Sequence, residues 1–405
     1  MLSRERRQAA ALLSVLLAFA CAPAPSNQTP VILISIDTLR SDRLPAYGYD
    51  KVQTPHLDAF RADSILYERA YSHTPLTLPS HASILTGLLP ADHGMRDNVG
   101  YRLDRKVTVL PELLKKNGYE TGAAISAYVL RREAGLDRGF DWYDDEVEPV
   151  GESANIGMVQ RSGAETIRVA QEWIARRTKP FFLFLHLYEP HTPYRAPEPF
   201  FSRYADRYDG EIAYTDQLIG DFIRDLKQRG IYDKALIVVL SDHGEGLGDH
   251  GEDEHGIFLY REAIQVPLMV KLPKARSAGE TVRVPVQLID VFPTVLEQTD
   301  TGGRVRTPAL HSRSLISFLS EEGASRAIYS ESYYPRFHFG WSDLHSLIDG
   351  DRHYIRAPIP ELYDLANDPA EKINTLEQNR RAYVRMRAAI EPFVREASAP
   401  EAVDP

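Results

Sequence analysis

The sequence predicts an α/β fold, with a large, mostly parallel sheet flanked by helices and a small C-terminal α+β subdomain. Three observations lead to this prediction. Apolar runs alternate with amphipathic segments, polar clusters directly follow several of the runs, and the pattern changes near Arg326. Alternation of this kind favours a parallel sheet with helices on both faces. A chain of 405 residues has room for one large domain with an appendage, or for two domains.

Five runs are expected to be buried strands, because they are apolar throughout, like strands that are covered on both faces. They are residues 31–36, 121–127, 181–187, 235–240 and 266–272. The amphipathic segments 164–177 and 212–229 are expected to be helices between them. Short strands at 329–333 and 353–356 and a charged helix at 379–396 follow. We therefore divide this part of the chain into a main domain (31–325), a C-terminal subdomain (326–397) and a tail (398–405).

The first 30 residues have the pattern of an export signal followed by a tether. Arg4, Arg6 and Arg7 precede an apolar stretch, residues 9–20, that is too short to span a bilayer. The signal ends in Ala-Phe-Ala-Cys at Cys21, which is similar to a bacterial lipoprotein box, and Cys21 is the only cysteine of the chain. We expect an export signal over residues 1–21, lipidation of Cys21, and a flexible tether over 22–30. The expected location is the periplasm or outer membrane of a bacterium, and plain signal cleavage is the alternative.

The charge balance bears on the partners of the protein. There are 47 Lys and Arg against 57 Asp and Glu, which gives a formal net charge of −10. Such a chain has no electrostatic footprint for nucleic acid. An anionic substrate can bind such a chain only where metal ions or local basic residues offset the negative charge of the protein. The sequence does not indicate an oligomeric state.

Carboxylates and imidazoles follow two of the predicted strands. Asp37 comes directly after the run 31–36, and Asp242 and His243 come after the run 235–240. Ligands gather at the carboxyl ends of strands in parallel sheets, and these residue types bind divalent metals. Taken alone, Asp37 is also suited to capping a turn, and the Asp-His pair to a polar loop.

Residues 77–87 read Thr-Leu-Pro-Ser-His-Ala-Ser-Ile-Leu-Thr-Gly. Pro79 is suited to a first helical turn and Gly87 to a helix end, so a helix is expected here. Its free backbone N–H groups would favour an anionic group near Thr77. A threonine hydroxyl at a metal can attack a phosphorus or sulfur centre. The alternative is that Thr77 or Ser80 is an N-cap.

This segment resembles the sulfatase signature Cys/Ser-x-Pro-Ser-Arg-x-x-x-Leu-x-Gly, which it matches at Pro79, Ser80 and Gly87. Five other segments are similar to further elements of the family, in the same order along the chain. They are residues 31–37, 180–194, 208–220, 288–296 and 361–376. The chain is therefore identified as a member of the sulfatase family within the alkaline phosphatase superfamily. The resemblance implies an alkaline phosphatase-like fold and a metal-dependent ester hydrolase.

The segment departs from the sulfatase pattern in ways that concern the chemistry. Thr77 stands where sulfatases have the cysteine or serine that becomes formylglycine, His81 stands for the signature arginine, and Thr38 for a second metal-binding acid or amide. Phosphoethanolamine transferases and lipoteichoic acid synthases have a threonine nucleophile. By this resemblance, Asp37, Thr77, Asp242 and His243 are the metal ligands. The run after Asp242, with His255 twelve residues beyond His243, is also similar to those transferases.

Further histidines are candidates for the site. The resemblance, and the number of histidines close together in these segments, suggest His191 and His255 as catalytic residues. His255 is also a candidate ligand of a second metal or a contact of the oxyanion. His81 is a third catalytic candidate. His186 is a substrate-binding candidate, with a core histidine as the alternative. His93, Arg96 and Asn98 follow the nucleophile helix, and of these Asn98 is the substrate-binding candidate. The alternative for these three residues is a turn at the surface. Arg40, near Asp37, is expected to form a structural ion pair with an acid rather than to bind the substrate.

The aromatic run at 333–341 is unusual. It is suited to covering the mouth of the site, with Arg336 holding a charge of the substrate. A packed joint between the two subdomains is the alternative.

The expected function is hydrolysis of sulfate or phosphate esters through Thr77, with phosphate and phosphodiester chemistry favoured. One or two divalent metals are expected, with zinc or manganese favoured over calcium. The substrate would be a small molecule, a glycan or a lipid headgroup, and membrane contact would occur only through the lipid anchor. The alternatives are a phosphoryl-group transferase of the envelope and an inactive sulfatase-like binding protein.

Overall fold

A computed structural model describes residues 29–147, 159–301, 311–321 and 326–397. The predicted export signal, Cys21, most of the tether and the tail at 398–405 lie outside the described residues. The predictions made for them stay predictions.

The main sheet contains eight strands and has the order β10-β2-β9-β7-β1-β6-β4-β5. Its strands are β1 (Val31–Ile36), β2 (Ile65–Tyr67), β4 (Glu120–Ala124), β5 (Trp142–Asp144), β6 (Phe181–Leu187), β7 (Leu236–Ser241), β9 (Leu268–Lys271) and β10 (Thr281–Val282). The central strand β1 pairs in parallel with both β6 and β7. The antiparallel pairs of this sheet are those that β9 makes with β2 and β7. The predicted mostly parallel α/β fold is confirmed.

Helices cover both faces of this sheet. The α-helices of the described residues are α1 (Pro55–Ala62), α2 (Thr77–Thr86), α3 (Pro90–His93), α4 (Leu110–Lys116), α5 (Gly163–Ile174), α6 (Phe200–Arg203), α7 (Arg207–Gln228), α8 (Arg261–Ile264), α9 (Val291–Gln298), α10 (Tyr334–Phe339) and α11 (Arg380–Ile390). Alternate side chains of β1 point to opposite faces, so Leu33 packs in one core with Ala82 of α2, and Ile34 packs in the other with Ile212 of α7. Burying both faces of β1 explains why its sequence is apolar except at Ser35.

Two smaller sheets complete the described structure. The first joins β3 (Ala70–Tyr71), β8 (Gln265–Val266) and β11 (Val286–Gln287). The second is an antiparallel sheet of β12 (Ala327–Ser332), β13 (Leu344–Asp349), β14 (Arg352–Arg356) and β15 (Glu361–Asp364), against which α11 packs. A C-terminal antiparallel sheet with a helix is the α+β pattern expected there.

Strand β12 is bonded to the segments around the nucleophile helix. The backbone N–H of Glu331 donates to the His73 carbonyl at 2.9 Å, and the Ser330 hydroxyl donates to the Ser72 carbonyl at 2.6 Å. The Ser332 hydroxyl donates to the Gly256 carbonyl. The C-terminal sheet therefore supports the chain on both sides of the candidate site.

Two strand predictions need correction. The run 266–272 was expected to be a buried parallel strand, but it is divided at Pro267, and β9 runs antiparallel to β7. Proline has no N–H to donate to a neighbouring strand, which accounts for the break. The expected strand 121–127 also ends early, at Ala124. Among the described residues, no helix is both long and apolar enough to cross a bilayer.

Candidate metal centre and active site

The candidate centre lies at the carboxyl ends of β1 and β7. Asp37 follows β1 directly, and Asp242 and His243 follow β7. The register pairs Ile36 with Ser241, so the residues that follow the two strands meet at one edge of the sheet. All three side chains are fully buried.

Four side chains converge there. The His243 Nε2 atom is 3.6 Å from Asp37 Oδ1, 3.4 Å from Asp242 Oδ2 and 3.2 Å from Thr77 Oγ1. The ligand atoms of Asp37, Asp242 and His243 all lie within 4.8 Å of one another, which is close enough for one ion to contact all three. The structure thus brings together residues from three distant parts of the chain, as predicted.

Thr77 is the first residue of α2, two positions before the start that Pro79 suggested, and it is 3% exposed. Two contacts fix this end of the helix. The Leu78 N–H donates to Asn98 Oδ1 at 2.8 Å, and the Ser80 hydroxyl donates to the Asp242 carbonyl at 2.8 Å. Asn98 therefore caps a free N–H of the helix and holds Thr77 beside His243.

Several polar atoms of the centre are buried without a hydrogen-bond partner among the described residues. They are both carboxylate oxygens of Asp37, Oδ2 of Asp242 and both ring nitrogens of His186. Buried carboxylates without partners are costly, whereas a divalent cation satisfies them directly. The donor set of two carboxylates, an imidazole and a hydroxyl fits such a cation.

Burial shifts both acids of this centre toward their protonated forms. Burial raises the pKa of Asp37 well above its ordinary value, although the Thr77 hydroxyl and the Thr38 amide lower it in part. Burial, followed by the charge of Asp37, raises the pKa of Asp242 to about 7. A cation between the two would reverse this trend, because an opposite charge favours the carboxylate form.

Hydrogen bonds to carbonyls fix the tautomers of two histidines. Nδ1 of His243 lies 2.9 Å from the Gly244 carbonyl, which can only accept, so Nδ1 carries the proton and Nε2 presents a lone pair to the centre. His81 differs, since its Nδ1 donates to the Thr77 carbonyl at 2.7 Å and its Nε2 accepts from Ser35 Oγ at 2.8 Å. His81 is fully buried and holds the backbone of Thr77. Burial also lowers the pKa of His81 to about 3.

His186 lies on β6, on the inner side of the centre. Its Nε2 is 3.4 Å from Asp37 Oδ2, and its ring centroid is 4.9 Å from that of His81. His186, His81 and Asp242 form a second group with ligand atoms within 4.8 Å. Because Nδ1 of His81 is engaged by a carbonyl, the first group is the better metal site.

His191 and His255 lie on the other side of the centre, next to a cavity. Their Nε2 atoms are 3.2 Å apart, and the ring of His255 is 4.3 Å from that of His243. Both Nδ1 atoms face carbonyls, at 2.7 Å for His191 and 3.0 Å for His255, so neither Nε2 carries a proton in the neutral rings. Burial lowers the pKa of both to about 3. The lone pairs of the two Nε2 atoms therefore face each other, and together they can bind one shared proton or another electrophile.

The cavity has a volume of about 360 Å³ and is in contact with Thr77. Histidine, acidic and aromatic side chains dominate its lining. They are Asp97, Tyr128, Tyr188, His191, Glu254, His255, Tyr334 and His338, and Asn98 also lines it. A volume of this size is at the lower end of the range for small-molecule sites.

Comparisons with known proteins identify the family of the chain. The family described as Sulfatase matches residues 29–301, and the C-terminal region of N-sulphoglucosamine sulphohydrolase matches residues 248–391. The chain belongs to the sulfatase family.

Relatives of this sulfatase-family chain are ester hydrolases. A sulfatase of Formosa agariphila is 25% identical over 85% of this chain and 82% of its own length. An arylsulfatase of Clostridium perfringens is 22% identical over 85% of this chain and 90% of its own. The solved phosphonate monoester hydrolase of Agrobacterium radiobacter has the same fold, with a TM-score of 0.73 and 24% identity over 90% of this chain and 95% of that one. The prediction of an ester hydrolase is confirmed. Enzymes of the sulfatase family use a divalent metal, and the candidate site above is where this chain can hold one.

Two basic residues near the site are bound elsewhere. Arg40 pairs with Asp42 at 2.8 Å and with Asp249 at 2.9 Å, which agrees with the structural alternative. Arg336, predicted to hold a charge of the substrate, is not among the described residues that line the cavity. It is half exposed and lies 3.4 Å from Asp343.

The aromatic run does reach the cavity, but through other residues. Tyr334 and His338 line it, and their rings stack at 4.1 Å. They are four residues apart on α10 and so share one face of the helix, whereas Arg336 points away from that face. Asp97, Glu254 and His338 were not singled out from the sequence. Helical spacing within 334–339 is the signal that could have found His338.

Proposed function

We propose that the protein hydrolyses phosphate or sulfate esters through Thr77 as the nucleophile, with phosphate monoesters and diesters favoured. The observation that carries this proposal is the position of Thr77 Oγ1. It is 3.2 Å from the unprotonated Nε2 of His243, beside both oxygens of Asp37 and Oδ2 of Asp242, which lack hydrogen-bond partners among the described residues. A hydroxyl placed among these groups has its reactive atom where a metal can activate it.

The residues that would hold the metal are Asp37, Asp242, His243 and the Thr77 hydroxyl. A divalent cation bound there lowers the pKa of the hydroxyl and offsets the negative charge of the ester. Zinc or manganese suits a mixed set of carboxylate and imidazole ligands better than calcium does.

In the first step, the Thr77 hydroxyl gives up its proton to solvent, and Oγ1 forms a bond to the phosphorus or sulfur atom as the bond to the leaving oxygen breaks. The leaving oxygen needs a proton, and His191 and His255 can supply it from a proton shared between their Nε2 atoms. An anionic ester in the cavity favours the protonated form of this pair, because an opposite charge raises an imidazole pKa. The N-terminus of α2 favours negative charge near Thr77 through the helix dipole. Its N–H groups contribute little directly, because Leu78 donates to Asn98, Pro79 has no N–H and Ser80 donates to Leu76.

In the second step, water displaces Thr77 from the covalent ester and releases the anion. This step favours phosphate over sulfate. A threonine has no second hydroxyl on its reacting carbon, so it cannot expel sulfate by re-forming an aldehyde, as the hydrate of formylglycine does. A threonine ester must be opened by direct attack of water, and phosphorus accepts such an attack in line.

The test is turnover by Thr77→Ala and Thr77→Ser on matched aryl esters: phosphate, phosphodiester, phosphonate and sulfate. Thr77→Ala should lose about a thousandfold or more in kcat/KM on each substrate turned over, and Thr77→Ser should retain part of it. Acid-quenched wild-type enzyme should carry a phosphorylated Thr77 in its mass spectrum. Full turnover by Thr77→Ala would refute the nucleophile, and a faster sulfate ester would refute the phosphate preference.

A transferase that passes the phosphoryl-linked group to an alcohol is the second candidate. The threonine nucleophile, with His255 twelve residues beyond His243, favours it. Product analysis with and without an added alcohol separates the two, since a transferase forms the new ester at the expense of free phosphate. We also propose that the protein is an exported lipoprotein whose anchor is Cys21. Labelling with palmitate that is lost in Cys21→Ser would support it.

A further inference from the structure

Part of the wall of the cavity beside Thr77 is acidic. Asp97 and Glu254 contribute carboxylates to the lining, and none of the described residues that line it is Lys or Arg. Arg96, next to Asp97, is turned into an ion pair with Glu331, 3.1 Å away. Arg131 lies next to the lining, with its guanidinium 4.9 Å from the Tyr128 ring centroid, but it does not itself line the cavity.

The two acids differ in exposure and in their hydrogen bonds, and therefore in how a ligand can reach them. Glu254 is exposed, and its carboxylate accepts no hydrogen bond from the described residues. Asp97 is 1% exposed and accepts from His338 Nε2 at 2.8 Å. Because a carboxylate can only accept, Nε2 of His338 carries the proton, and in the neutral ring Nδ1 keeps a lone pair.

The rings around these groups add to the same chemistry. Tyr334 stacks on His338 at 4.1 Å and so fixes the orientation of the imidazole. Tyr334 and Tyr128 both line the cavity, and the Arg131 guanidinium already lies over the Tyr128 ring. The wall therefore offers carboxylate and imidazole acceptors, which match a group that is positively charged and rich in N–H donors.

We propose that the leaving group of the ester carries a protonated amine, which Glu254 and the Asp97–His338 pair bind in the cavity. The inference depends on the ester hydrolysis proposed above and names the class of its substrate. The phosphoryl or sulfuryl end lies at Thr77, and the cavity volume of about 360 Å³ limits the rest to a small alcohol or amino sugar. A polyanionic glycan would place negative charge against Glu254.

The test compares three esters of one acid with the metal-loaded enzyme: 2-aminoethyl, propyl and carboxymethyl phosphate, and the corresponding sulfates. The propyl group has nearly the shape of the aminoethyl group without its charge. The 2-aminoethyl ester should have the highest kcat/KM, about tenfold or more above propyl, and the carboxymethyl ester the lowest.

Glu254→Gln should reduce the ratio of the aminoethyl to the propyl ester by about tenfold, because it removes one charge-assisted hydrogen bond. The change in this ratio is independent of the intrinsic reactivity of the two alcohols. The matched control is Asp253→Asn, which removes the same charge from the adjacent exposed residue, outside the lining, and should leave the ratio unchanged.

The outcomes are distinct. Hydrolysis of all three esters without preference for the amine overturns this inference and leaves the proposed function standing. No hydrolysis of any ester by the metal-loaded wild type counts against the proposed function itself. An equal fall of the ratio in Glu254→Gln and Asp253→Asn would show a general effect of charge and would also overturn the inference.

Discussion

Two regions of the molecule bury acids and histidines, and they differ in how these groups are satisfied. In the metal centre, Asp37, Asp242 and His186 have buried atoms without partners. In the C-terminal joint, formed by Arg96, Glu331, Tyr329, His345 and Asp343, each side chain contacts the next. Glu331 pairs with Arg96 at 3.1 Å, Tyr329 donates to Glu331 at 2.7 Å and lies 2.8 Å from His345 Nδ1, and His345 lies 2.7 Å from Asp343.

This difference separates a functional site from a structural one. Burial raises the pKa of Glu331 as it does that of Asp242, so a shifted pKa is common to both regions. In the joint, however, the protein supplies the compensating Arg96 and Tyr329. Oε1 of Glu331 accepts no hydrogen bond either, but it has the Arg96 guanidinium 3.1 Å away. Among the described residues, no lysine or arginine pairs with Asp37 or Asp242 in the metal centre. Two adjacent buried acids without a cationic partner, rather than buried acids as such, indicate where a cation binds.

The largest expected effect is the loss of activity when the metal centre is changed. Asp242→Asn should reduce kcat/KM by about a thousandfold or more and lower the bound metal measured by elemental analysis, because it removes one charged ligand. Glu331→Gln, the matched change in the joint, should retain its metal. Equal metal loss in both variants would contradict the distinction between the two regions.

A smaller effect is expected on the stability of the joint. Glu331→Gln leaves the buried Arg96 guanidinium without its counter-charge and should reduce the free energy of unfolding by about 3 kcal/mol. Urea denaturation followed by circular dichroism measures it. As a control, Glu133→Gln changes an exposed ion pair, 3.2 Å from Arg131, and should cost less than about 0.5 kcal/mol. A similar cost for both would mean that the joint is not a structural ion pair.

Metal removal should lower the stability of the wild type about as much as Glu331→Gln does, or slightly less. Chelation of the wild type should reduce the free energy of unfolding by about 2–3 kcal/mol, because a ligand that binds only the folded state stabilises it. Asp242→Asn should respond little to the chelator, since it has lost the site and a costly buried carboxyl. A wild type whose melting temperature does not change on chelation would speak against the centre as a metal site.

The smallest expected effect concerns a buried acid outside both regions. Glu211 on α7 is 4% exposed, and burial, followed by the charge of Glu189, raises its pKa to about 8. Unfolding lets this carboxyl ionise above its ordinary pKa of about 4.3, so it destabilises the fold increasingly from there to about pH 8. Glu211→Gln should therefore gain about 1–2 kcal/mol at pH 8 and almost nothing at pH 4. Denaturation at the two pH values checks this, and a gain of equal size at both would exclude titration as its cause.

Much of the fold follows from local patterns in the sequence. The run 181–187 and the strand Phe181–Leu187 coincide, because both faces of β6 are buried and every residue had to be compatible with a core. The direction of a strand leaves no such mark. The apolar run that contains β9 therefore did not reveal that β9 is antiparallel, since burial on two faces has the same composition in both directions.

The candidate site could be predicted where its residues follow strands. Asp37, Asp242 and His243 were found because strand ends of a parallel sheet meet at one edge. Asp97 and Glu254 lie in loops, and their approach to the cavity depends on tertiary packing that no local period encodes. The same holds for His81, whose two ring nitrogens are engaged by Ser35 and by the Thr77 carbonyl.

The bonds from β12 to the Ser72 and His73 carbonyls have a consequence for the order in which the protein becomes active. Thr77 is made early during translation, but the strand that supports its surroundings belongs to the last fifth of the chain. A nascent chain, or one clipped before residue 327, would contain every metal ligand and still lack the wall formed by Tyr334 and His338. The cavity beside Thr77 is therefore complete only once the last fifth of the chain has been made and has folded against the main sheet.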